Sequence, residues 1–96
     1  MFSDEYRVIR DALLAGRRRS GLSQRALASR QGKSHSHVVM IERGQRRVDV
    51  LELTKLAEIL AGDPRGLMWE ILRDLDALKA QNQAATSAPL AAVAAR

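Results

Sequence analysis

Residues 21–44, GLSQRALASRQGKSHSHVVMIERG, decide how this chain is read. Ser23 is an N-cap residue, and the helix it opens runs to about Gln31 before Gly32 closes it. Leu22 before that cap and Leu27 four positions into the helix form a hydrophobic staple. Ser34 caps the next helix, His35 to Arg43, and Gly44 ends it. The result is two short helices joined by a glycine turn. On the second helix Val38 and Ile41, three apart, face a core, with His37 at the edge of that stripe. His35, Ser36, Val39, Met40 and Arg43 project the other way. A helix of about three turns fits a B-DNA major groove, which it reads mainly with its N-terminal residues. Its N-terminal amides and positive dipole end suit a phosphate.

Helical punctuation continues outward on both sides. Upstream, Asp4 to Ser20 carries Val8, Ile9, Ala12 and Leu13 at helical spacing, and Gly21 supplies a left-handed cap. Downstream, Asp49 with Glu52 three residues on makes an Asp version of the capping box, with Val48 and Leu53 as its staple. That fourth helix carries Val50, Leu53, Leu56, Ala57 and Leu60 and stops at Gly62. Asp63-Pro64 starts a fifth, a cap residue followed by proline at the first helical position. The chain therefore divides into a five-helix, all-α domain over 1–79 and an Ala-rich tail over 80–96. Ser87 and Pro89 interrupt that tail and little in it needs burial, so it is expected to be disordered and flexible. Strand patterns and internal repeats are absent from the sequence.

Composition narrows the function. A 96-residue chain, 46% apolar with one Trp, one Tyr and one Phe, is expected to build one modest aliphatic core. It has no cysteine, hence neither a disulfide nor a thiolate site. No signal peptide or apolar run of ~18 residues appears, which points to a cytoplasmic, nucleoid-associated protein with no membrane partner. Residues 7–47 hold eleven Lys or Arg against Asp11 and Glu42, a local net of +9 in a chain whose total is +5. A basic half on a near-neutral body is the footprint of a polyanion binder. Catalysis has no support: no nucleophile elbow, phosphate loop or paired inward carboxylates occur, and Asp49, Glu52 and Asp63 are accounted for as helix caps. His35 and His37 point to different faces, so a metal site is not expected, nor is a cofactor.

The segment LSQRALASRQGKSHSHVVMIERGQR resembles the helix-turn-helix of the phage repressor and Cro-like (XRE-type) family. The elements that carry the resemblance are Leu22-Ser23-Gln24, Leu27-Ala28, Gly32, Ser34, Val38, Ile41-Glu42-Arg43-Gly44 and Leu56-Ala57, within a fit from about Ile9 to Leu60. It implies a five-helix lambda-repressor-like fold, a recognition helix at 35–43, and a sequence-specific regulator of transcription on double-stranded DNA. By position, Gln24 resembles the family's phosphate-contacting glutamine. His35, Ser36 and Met40, with Val39 beside them, take the base-reading positions. Arg43, Gln45, Arg46 and Arg47 take the phosphate-gripping ones, and Arg25, Lys33, Ser34 and His37 adjoin them. Arg17 and Glu42 match a largely buried family ion pair. Gly16 stands where the family has leucine, which is expected to weaken or kink the first helix. Lys33 replaces an apolar turn residue, and Val39 and Met40 replace polar or basic ones.

The fifth helix is more apolar than a short terminal helix needs. Leu67, Ile71, Leu75 and Leu78 form one stripe, Met68 and Leu72 widen it, and Trp69 lies beside it. These seven residues are the expected surface of a homodimer on a palindromic operator. Two other readings use the same fold. An antitoxin would offer the fifth helix or the tail to a toxin protein, and a helical interaction module would bind no DNA. RNA polymerase is a further partner open to a regulator.

Overall fold

The computed structural model describes the backbone of residues 3–94 and the side chains of residues 3–83. Five helices follow one another: α1 (Asp4–Ser20), α2 (Gln24–Gln31), α3 (His35–Glu42), α4 (Val50–Ala61) and α5 (Pro64–Ala94). Their starts are set by local hydrogen bonds. The side chains of Ser3, Ser23, Ser34 and Asp49 accept the backbone N–H of Tyr6, Ala26, His37 and Glu52, respectively. Gly32 closes α2 at φ 71°, a left-handed value that a Cβ disfavours, and this lets α3 turn off sharply after Lys33.

Packing follows from the apolar stripes. Ala12, Leu13, Leu27, Ala28, Val38, Ile41, Leu53, Leu56, Ala57, Leu60, Leu67 and Ile71 form one buried cluster, with Leu22 and Val48 packed against it as the two staples require. α1 touches α3, α4 and α5, while α2 packs on α3 and α4. The helix-turn-helix therefore rests on a platform of α1 and α4, closed from behind by α5. Among the described residues, no helix is long and apolar enough to cross a membrane.

Gly16 does not break α1, which is continuous from Asp4 to Ser20. It is buried, and a Cβ built on it would stand 3.4 Å from Leu60 Cδ1 of α4. The expected weak point is thus a place of close helix–helix approach. On α4, Val50 faces solvent at 76% exposure rather than the core, as does Leu51 beside it. On α5 the apolar surplus splits. Leu67 and Ile71, at 2% and 3% exposure, are core residues and are not available to a second chain. Met68 and Leu75 pack against the same core at its margin. Trp69 and Leu72 remain outside it, at 70% and 53% exposure. The helix continues past residue 79, where the sequence sets the start of a tail; Ala, Lys and Gln around that point are good helix formers. The side chains of residues 84–96, most of the expected flexible tail, lie outside the described residues.

Candidate nucleic-acid interface

The outer face of α3 is built by what α3 buries. Val38 and Ile41 drop to 2% and 4% exposure, and helical geometry then turns Ser36 and Met40 outward, Met40 at 40%. His35 and Val39 flank them, half-buried. Arg25 of α2, Lys33 and Ser34 of the turn before α3, and Arg43, Gln45, Arg46 and Arg47 after it are exposed.

Two polar networks fasten α3 to its neighbours. In the first, Arg17 of α1 holds Glu42 of α3 through two contacts, Nε to Oε2 at 2.5 Å and Nη2 to Oε1 at 3.1 Å, with side chains 14% and 9% exposed. Arg17 Nη1 also donates to the Leu22 carbonyl at 2.9 Å, tying the α1–α2 turn to the same guanidinium. Forked donation of this kind is the strong form of a carboxylate–arginine contact. The network runs on: Gln24 Nε2 donates to Glu42 Oε1 at 2.9 Å, and His35 Nε2 lies 3.2 Å from Gln24 Oε1. Gln24 and His35, one expected at a phosphate and the other at a base, are therefore joined to each other and to the partly buried Arg17–Glu42 pair.

The second network lies on the opposite side of α3. His37 Nε2 stands 2.6 Å from Glu52 Oε2 of α4, with side chains 11% and 15% exposed. Gln31 Nε2 of α2 donates to the same oxygen at 2.6 Å. Gln31 Oε1 is left buried without a partner among the described residues. Two expectations are corrected here. His37 is not turned toward a phosphate; its position on the inward edge of α3 delivers it to Glu52. Glu52 does not close a reciprocal capping box either. Asp49 caps its N–H at 2.8 Å, but its carboxylate is engaged by His37 and Gln31.

The basic loop after α3 is also held from α1. Gly44 adopts φ 73°, and a Cβ there would come within 3.1 Å of the Arg10 guanidinium. The Tyr6 hydroxyl accepts the Val48 N–H at 2.8 Å and donates to the Arg46 carbonyl at 3.4 Å. Arg47 lies over the Tyr6 ring, 5.4 Å from its centroid, at cation–π range. Tyr6 is the residue behind this loop that sequence reasoning misses. It falls three before Ile9 and seven before Leu13, on the inward stripe of α1, and a lone tyrosine on such a stripe needs a partner for its hydroxyl.

Residues 13–67 match a family model described as helix-turn-helix, which spans more than half of the chain. Comparison with curated proteins gives no match. Among solved structures, the chain is similar to the clp gene regulator ClgR from Corynebacterium glutamicum, with a TM-score of 0.68 and 22% identity. The alignment covers 86% of this chain and 88% of that one. At that identity the likeness is one of fold.

Proposed function

The chain belongs to the helix-turn-helix family of phage repressor and Cro-like type, and from that premise we propose that it regulates transcription by seating α3 in the major groove of an operator. The observation that carries this reading is the outer face of α3. Ser36 and Met40 are exposed, His35 and Val39 stand beside them, and the cations Arg25 of α2, Lys33 of the turn before α3, and Arg43, Arg46 and Arg47 after α3 are exposed as well. The base-reading set is His35, Ser36, Val39 and Met40. Phosphates are met by Arg25, Lys33, Ser34, Arg43, Gln45, Arg46 and Arg47, with the second N–H of the Gln24 amide added where the backbone passes α2. Arg17 and Glu42 are structural. The ClgR structure, whose name is that of a gene regulator, supports the same direction.

The regulator acts as a homodimer through the α5 face carrying Trp69 and Leu72, with Met68, Leu75 and Leu78 at its margin. A two-fold pair of α3 helices would meet DNA about 34 Å apart, so the operator is palindromic. Sedimentation showing a monomer both free and on one non-repeated site would overturn the dimer and the palindrome together.

The test of DNA binding is a salt series. Each phosphate neutralised steepens the fall of log K against log salt by about 0.9. Fluorescence anisotropy on a duplex pool is expected to show a slope of several such increments. A flat response would leave the helical interaction module as the reading.

A further inference from the structure

The network from Arg17 to His35 has a direction, and the direction is fixed at its buried end. A guanidinium only donates and an ionised carboxylate only accepts. Glu42 Oε1 therefore accepts a hydrogen bond from Gln24 Nε2, which sets the amide with its carbonyl oxygen toward His35. A carbonyl oxygen only accepts, so the His35 Nε2 atom 3.2 Å away carries the ring proton. In the neutral imidazole the other nitrogen, Nδ1, is then bare and is an acceptor. Nδ1 has no partner among the described residues. Nor is it buried, since Gln31 Oε1 is the buried side-chain atom without a partner among them.

His35 is the first residue of α3, and the N-terminal residues of a recognition helix are those that reach base edges. We infer that His35 reads DNA as a hydrogen-bond acceptor. On the strand it faces, it selects a base with an exocyclic amine in the major groove, adenine through N6 or cytosine through N4. Guanine and thymine place the acceptors O6, N7 and O4 there and meet a bare nitrogen with no proton between. The polarity is imposed from the core: Arg17 orients Glu42, Glu42 orients Gln24, and Gln24 orients the ring. Gln24 is in this sense a positioning residue for specificity. The exposed arginines and Lys33 cannot take this role, because they only donate.

This inference rests on the DNA-reading role proposed above, and in-vitro selection separates the two. The full chain is used at pH 8 and low salt to retain duplexes from a randomised pool. The wild type is expected to favour A or C over G at one step by roughly fivefold or more. His35→Lys, a donor only, should turn that step to G and leave the other steps unchanged. Gln24→Leu frees the ring from its carbonyl partner, and the preference at that step should fall below about twofold while the other steps keep theirs. A merely structural Gln24 would weaken all duplexes alike. Enrichment of G or T by the wild type at the step that His35→Lys alters, or no altered step at all, overturns the inference. Retention of no duplex overturns the DNA reading and this inference with it.

Discussion

Replacing Arg17 with alanine should destabilise the domain before it affects which DNA is read. Three hydrogen bonds go at once: both links to Glu42 and the one to the Leu22 carbonyl. What remains is the Glu42 carboxylate, 9% exposed, with Gln24 as its last donor. Stranding one member of a buried pair typically costs ~3–5 kcal/mol. The surviving Gln24 bond and the partial exposure of Arg17, 14%, place this site toward the lower end, at ~3 kcal/mol. Against a total folding free energy of ~5–15 kcal/mol, that is a large share for one side chain. At ~4–8 °C per kcal/mol, the melting temperature should fall by about 12 °C or more. Urea unfolding followed by far-UV circular dichroism measures this, with a lower midpoint and an unchanged slope. The paired change Arg17→Met with Glu42→Leu should recover most of the stability, because no charge is then left buried. An unchanged melting temperature with lost DNA binding would refute the reasoning and make Arg17 a DNA contact.

Other substitutions probe other parts of the fold. Gly16→Ala should stabilise the protein by ~1 kcal/mol and raise its melting temperature by several degrees, since the new methyl meets Leu60 at ordinary contact distance. Tyr6→Phe removes the acceptor for the Val48 N–H but keeps the ring under Arg47; it should cost ~1 kcal/mol in thermal unfolding and weaken all duplexes by a similar factor in anisotropy titrations. Replacing Arg46 and Arg47 by glutamine should also weaken all duplexes alike and flatten the salt slope by about 0.9 for each phosphate no longer neutralised. Ser36→Ala or Met40→Ala should instead change the rank order of selected sequences, so identical behaviour of the two sets would displace α3 as the reading helix.

The helices, their caps and the core were legible in the sequence because each depends on residues within a few positions. Ser23, Ser34 and Asp49 accept N–H groups three residues on. Val38, Ile41, Leu53 and Leu56 bury where helical spacing puts them. The Arg17–Glu42 pair was legible only through family resemblance, since 25 residues separate its members. The long-range side-chain partners of Tyr6, Gln24, Gln31, His37 and Glu52 were not legible at all. Periodicity tells which face a side chain leaves from but not which helix it meets, and these contacts join residues 11 to 42 positions apart. The same limit governs α5, whose apolar surplus supplied both the core residues Leu67 and Ile71 and the exposed Trp69 and Leu72. Sequence alone thus determined a helix-turn-helix in a basic half. Only the packing of α1, α2 and α4 around α3 decided which polar groups remain for DNA, because a hydrogen bond between helices exists only once their axes are fixed.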